Sequence, residues 1–157
     1  MFGTRAPYFE NGEIAVQGLD SSKPDINDGE IGRHNYPLVR ELGGRHKLRI
    51  VALHHHSIPI PGTGREVNVL SDAGDFIKPC LDSGVHLVLS GHRHVPWTWC
   101  LDGVYFITAG TACTNRLKGR SHPSINLFEV EGGHLRMETV QVDDGRSEVM
   151  IDATLRV

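Results

Sequence analysis

The chain has 157 residues, enough for one domain with a real core and too few for two comfortable ones. A hydrophobic share of 39%, a charged share of 22% and a formal charge of −3 describe an ordinary globular composition, and no basic stripe points to a nucleic-acid partner. No apolar run approaches the roughly 20 residues of a membrane span, and Met1-Phe2-Gly3-Thr4-Arg5-Ala6-Pro7 lacks the basic and apolar regions of a signal peptide, so the expectation is a cytoplasmic protein with no membrane partner.

Residues 1–12 are a loose mixture of polar and aromatic side chains, closed by the turn signal Asn11-Gly12. Glu13 to Leu19 reads as a strand. Asp20 to Gly29 reads as a loop, because its Asp, Ser, Asn, Pro and Gly residues favour turns over ladders. A helix is expected from Gly32 to Leu42, stopped by Gly43-Gly44. Lys47 to Leu53 is nearly continuous in apolar residues, as a strand buried on both faces must be, and it runs into His54-His55-His56. Ser57 to Gly64 holds two prolines and two glycines and must be a loop.

From Ser71 to Ser83, Phe76, Ile77, Cys80 and Leu81 mark one helical face. Ser71 or Asp72 is the expected N-cap, Gly84 lies just past the end, and Pro79 is expected to kink the helix. Val85 to Leu89 is a third buried strand, leading into Ser90-Gly91-His92-Arg93-His94. Strand, helix, strand at this spacing makes a βαβ unit, whose ligand groups gather at the carboxyl ends of the strands. Val95–Leu101 and Val104–Thr108 then form a hairpin about Asp102-Gly103, and Ala109 to Pro123 is a long loop. Ser124–Val130 and Leu135–Val142 form a second hairpin about Gly132-Gly133, and Ser147 to Val157 alternates as a last strand. The fold expected is α/β: one domain over residues 1–157, a mixed β-sheet with a βαβ unit, and antiparallel strands toward the C-terminus.

The chain carries 10 histidines, and their placement points to a site. On extended backbone, imidazoles at i and i+2 project to one side, and Gly91 would let the chain turn sharply ahead of His92 and His94. Neutral imidazole suits Zn, Fe, Ni or Cu. His54-His55-His56 ends the neighbouring strand at the corresponding place, so two histidine turns converge on one crevice. If the strand continued, alternation would send His54 and His56 to one side and His55 to the other; a turn there would void that order. His34 and His46 read as solvated side chains. Cys80, Cys100 and Cys113 are odd in number and form no paired spacing, so they read as small buried residues in a reducing compartment.

Three motifs in order carry a resemblance: Ile50-Val51-Ala52-Leu53-His54-His55 with Pro59 downstream, Leu87-Val88-Leu89-Ser90-Gly91-His92-Arg93-His94, and Ala109-Gly110-Thr111. Together they resemble the C-terminal half of a calcineurin-like metallophosphoesterase, and Gly18-Leu19-Asp20-Ser21-Ser22 is similar to the strand and loop before that half's helix. The resemblance implies half of an αββα sandwich and a phosphate-ester hydrolase using two divalent transition metals (Mn, Fe or Zn) to clamp the ester and activate water. It implies His54 and His92 as ligands of one metal and His94 of the other. His55 and His56 would support the site or face substrate. Arg116, with Lys118 and Arg120, would meet phosphate charge or form a solvated basic loop.

The Asp-x-His, Gly-Asp and Gly-Asn-His motifs of the family's first half have no counterpart ahead of His54, so the bridging carboxylate, the asparagine ligand and the catalytic histidine of the resemblance are absent from this chain. The resemblance therefore implies the C-terminal portion of a catalytic domain, impaired alone, with a complementing N-terminal half or an oligomer as partner. The apolar face that would meet the absent half is expected to be exposed. The reading of a different class is a non-catalytic histidine-rich metal-binding or regulatory module.

Overall fold

The structure, a computed structural model, describes residues 4–42, 48–63, 69–113 and 122–156. Nine strands and two helices follow in the order β1 (Tyr8–Glu10), β2 (Ile14–Gly18), α1 (Tyr36–Glu41), β3 (Leu48–Ala52), α2 (Ala73–Asp82), β4 (Leu87–Ser90), β5 (Trp97–Leu101), β6 (Val104–Thr108), β7 (Ser124–Glu131), β8 (His134–Gln141) and β9 (Ser147–Thr154). Strands β1 to β6 form one sheet in the order β1-β2-β3-β4-β6-β5, and β7-β8-β9 form a second. The inner strands β2, β3, β4 and β6 are parallel, while β1 and β5 close the edges antiparallel. This is the expected mixed sheet, with β3-α2-β4 as its βαβ unit.

The apolar runs are continuous because both faces of the large sheet are covered. Ala15, Val51, Val88 and Phe106 point to one face and pack with Val39 of α1 and Phe76 and Cys80 of α2. Leu48, Ile50, Leu87 and Ile107 point to the other and pack with Leu135, Met137 and Ile151 of the second sheet. Each large aliphatic or aromatic side chain so buried contributes roughly 1.5–3 kcal/mol. The layers are thus helix, sheet, sheet. Among the described residues both faces of the large sheet are covered, by the helices on one side and the smaller sheet on the other. The exposed apolar side chains include Ile125, Leu127 and Val149 on the smaller sheet and Tyr8 and Phe9 on β1.

Several local expectations are corrected. Tyr8–Glu10 is a strand paired to β2, held by the Asn11 side chain, whose Oδ1 accepts from the Glu13 and Ile14 backbone N–H groups. The first helix begins as a 3-10 turn at Arg33–Asn35 and becomes α-helical at Tyr36, with Pro37 in its first turn, where a missing N–H costs nothing. Its expected stop, Gly43-Gly44, lies outside the described residues. Asp72 sits at the N-cap of α2 but makes no side-chain cap bond there. Its carboxylate instead accepts from the N–H groups of Ile31 and Gly32 and the Tyr36 hydroxyl, tying the two helix starts together. Helix α2 continues through Pro79 and ends before Gly84, which takes the left-handed φ of +66° that its position requires.

Both hairpins turn where expected. Asp102-Gly103 and Gly132-Gly133 all have positive φ, as tight turns between right-twisted strands demand. Of the cysteines only Cys80 is buried; Cys100 and Cys113 are exposed, Cys100 because β5 is an edge strand, and all three are free thiols. Among the described residues no helix is long and apolar enough to cross a membrane.

Candidate metal centre

Parallel pairing of β3 and β4 brings their carboxyl ends side by side, and the ladder persists beyond the strands themselves. The Leu53 N–H donates to Leu89 O at 3.0 Å and the Gly91 N–H donates to His54 O at 2.9 Å. The two histidine turns are therefore neighbours by backbone register. His54 Nε2 lies 3.0 Å from His92 Nδ1, so one ring donates its proton to the other's lone pair. One ring nitrogen of each of His54, His55 and His92 lies within 4.8 Å of the others. His94 stands outside that triplet, and Arg116 lies outside the described residues, as do Lys118, Arg120 and His46.

The turn that presents His92 is not extended, which replaces the i, i+2 argument. The Arg93 N–H donates back to Gly91 O at 2.9 Å, closing a three-residue turn around His92. His92 has φ +71° and His94 φ +58°, whereas Gly91 needs no left-handed conformation. A γ-turn with positive φ at its centre is the rare, strained form, and left-handed backbone costs a residue with a β-carbon about 1–2 kcal/mol. Strain at a cluster of imidazoles is the kind that is kept for a site.

Burial and mutual repulsion disfavour the charged form of three of the rings. His92 is pushed down to about 4, first by burial and then by its neighbours His55 and His54. His56, 3% exposed, is pushed down to about 4 by burial and by the Arg93 guanidinium. Burial, and then His54, lowers His55 as well. Near neutral pH these rings therefore keep lone pairs. His56 Nδ1 is buried and has no hydrogen-bond partner among the described residues.

Three residues tie the surrounding loops down. Arg93, the residue between the two motif histidines, is itself buried, and its guanidinium donates to the Thr63 carbonyl. Trp99 Nε1 donates to Pro59 O at 2.9 Å, so the proline loop after the histidine triplet is held at both ends by the β4–β5 segment. Ser21, at the start of the first parallel crossover, reaches His55. Sequence reasoning did not find Ser21, Arg93 or Trp99 as parts of the site. Ser21 lay inside the stretch that carried part of the resemblance, but nothing in its spacing ties it to a residue 34 positions away.

No family model matches the chain. Among curated proteins it is 31% identical over 88 residues to a probable cyclic nucleotide phosphodiesterase of Psychrobacter sp. (strain PRwf-1), covering 55% of this chain and 26% of that protein. A probable cyclic nucleotide phosphodiesterase of Psychrobacter arcticus is 29% identical over 97 residues, covering 60% and 35%. The likeness is to the metallophosphoesterase superfamily. The chain spans only about a quarter to a third of the curated relatives it matches. Among solved structures, a protein described as GAP50, the anchor in the inner membrane complex of Plasmodium, shares the fold with a TM-score of 0.64 at 18% identity, over 97% of this chain and 53% of that one.

The donor set suits the divalent transition metals that this superfamily resemblance implies. It offers imidazoles on adjacent strand ends, two of whose nitrogens already face one another, beside a buried ring nitrogen with no hydrogen-bond partner among the described residues.

Proposed function

We propose that the chain supplies the histidine half of a metal-dependent phosphoesterase that hydrolyses a phosphate ester with water. The observation that carries this reading is the 3.0 Å approach of His54 to His92 at the carboxyl ends of two adjacent parallel strands. His54 and His92 would hold one divalent ion and His94 a second, with Mn, Fe or Zn as candidates. Bound there, such ions supply Lewis acidity and lower the pKa of water. Whichever ring donates in the His54–His92 bond would have to carry its proton on its other nitrogen before both facing lone pairs could bind an ion. The buried Arg93 guanidinium would lend the floor of the site positive potential for an anionic ester, and Arg116 would add to it. The names of the relatives make a cyclic phosphodiester the first substrate to try.

In this reading the carboxylate ligands come from a complementing N-terminal half, since Asp-x-His and Gly-Asn-His motifs are missing from the sequence. Partners are then that half, or an oligomer, and the ester substrate, with no nucleic acid. Three free thiols fit a reducing, cytoplasmic setting. The second reading, a binding module without turnover, is favoured by the triplet being imidazole alone. Metal analysis after loading with Zn or Mn, with hydrolysis of bis-p-nitrophenyl phosphate by the chain alone and with a complementing half, separates the two. Bound metal with turnover on complementation supports the phosphoesterase. Bound metal with no turnover in either form leaves the module. Absence of bound metal overturns both.

A further inference from the structure

His55 is held more completely than any other ring of the cluster. Its Nε2 lies 3.1 Å from the Asn27 backbone oxygen, its Nδ1 lies 2.9 Å from Ser21 Oγ, and its own backbone N–H donates to the same Oγ at 3.1 Å. A carbonyl oxygen can only accept, so Nε2 carries the proton and Nδ1 the lone pair. The Ser21 hydroxyl must then donate to Nδ1 while it accepts from the His55 backbone. Ser21 is 1% exposed, so no water competes for either bond.

Gly29 makes room for the ring. A β-carbon there would come within 2.5 Å of His55 Cγ and 2.6 Å of Nδ1, far inside contact distance. The glycine cannot retreat, because it is bridged to Leu70 and its carbonyl accepts from the Ser71 N–H at 2.8 Å. The loop over residues 21–29 therefore grips the ring from the hydroxyl, the carbonyl and the glycine. Two other imidazoles flank the ring: His54, edge-on with centroids 4.9 Å apart, and His92, tilted at 4.6 Å.

We propose that Ser21 is a positioning residue: with Asn27 and Gly29 it locks His55 as the Nε2–H tautomer, so that His55 serves as a fixed wall setting His54 and His92 for metal capture and is not itself a ligand. Proximity alone would make His55 the third donor of the triplet. Its hydrogen bonds exclude it, since coordination through Nδ1 would break the buried bond from Ser21 and coordination through Nε2 the partly buried bond to Asn27. Partners one step removed from a metal set ring orientation and affinity in just this way. The metal part of the inference rests on the proposed function; the tautomer does not.

Long-range imidazole proton–nitrogen correlation spectra of the 15N-labelled full chain test it, with His55 assigned by the signal lost in His55→Gln. In the metal-free wild type, His55 is expected to show a protonated Nε2 and a bare Nδ1. On zinc addition the ring nitrogens of His54 and His92 should move while those of His55 keep this pattern. Ser21→Ala should mix the His55 tautomers and weaken zinc binding by about 10–100-fold, and Ser21→Thr, which keeps the hydroxyl, should restore both. A protonated Nδ1 in the wild type, direct zinc perturbation of a His55 nitrogen, or unchanged tautomer and affinity in Ser21→Ala would each overturn the inference. The wild-type spectrum decides the lock even if a variant fails to fold. If zinc does not bind the wild type at all, the metal reading fails, and the metal-free spectrum still upholds or overturns the lock.

Discussion

The large sheet carries histidines at both ends of its parallel strands, and the two ends treat them differently. At the amino end, His86 is buried, its Nδ1 accepts from the Arg49 backbone N–H at 2.9 Å, and its Nε2 donates to the Arg156 carbonyl at 2.7 Å. At the carboxyl end, a ring nitrogen of His54 faces one of His92 at 3.0 Å, and His92 sits on left-handed backbone. A buried imidazole with both nitrogens matched to fixed backbone groups is a structural part, here stitching the C-terminal segment to β3. Imidazoles that face one another on strained backbone are held against their local preference, and that difference separates a brace from a site.

The sharpest way to break this contrast is to replace one ring at each end. His92→Gly removes a donor but also relieves the positive φ. Zinc affinity should fall at least about 100-fold, near 2.7 kcal/mol, since loss of even an outer partner costs 10–100-fold. Unfolding free energy should stay within about 1 kcal/mol of wild type, because relief of left-handed strain offsets the added freedom of the unfolded chain. Calorimetric titration and urea unfolding read the two quantities. A large loss of stability with unchanged zinc binding would make His92 a brace as well.

His86→Ala should do the reverse. It orphans the Arg49 N–H and the Arg156 carbonyl in a partly buried place. Unsatisfied buried groups of this kind cost about 1–3 kcal/mol each, so a loss of roughly 2 kcal/mol by urea unfolding is expected, with zinc affinity unchanged. A fall in zinc affinity would show that the two ends are coupled through β4.

How much of this was legible follows from the range over which each signal acts. Continuous apolar runs such as Leu48 to Ala52 and turn pairs such as Asp102-Gly103 are local, and they placed the parallel strands and both hairpins within a residue or two. The convergence of His54 and His92 was readable because parallel strands that neighbour in sequence order also neighbour in the sheet. The orientation of the rings was not. It depends on positive φ values at His92 and His94 that no side-chain pattern announces, and the sharp turn was expected of Gly91 instead. Ser21 and Gly29 act on His55 across a crossover, and Asp72 serves the start of the other helix in place of its own. Such bonds form only after the chain has folded. Tyr8–Glu10 was missed for another reason: a three-residue edge strand has too short a pattern to read.

The smallest expected effect is also the most selective. Burial, with the Arg49 guanidinium a further cause, lowers the pKa of His86 below the usual histidine value. The unfolded chain takes up a proton near pH 6.5 that the fold refuses. Stability from this group is thus fully present above about pH 6.5 and declines as pH falls below it, by at most about 1.4 kcal/mol per pH unit for one proton. His55, His56 and His92 are lowered in the same direction and add to the slope. His86→Gln keeps an acceptor and a donor in a side chain that cannot titrate. Between pH 6.5 and 5, where other groups contribute equally to both proteins, the metal-free wild type should therefore lose stability more steeply than His86→Gln by up to one proton. Parallel curves would mean that His86 titrates alike in both states. The brace at the amino end would then be no more selective against a proton than a solvated ring, and the contrast between the two ends would rest on backbone geometry alone.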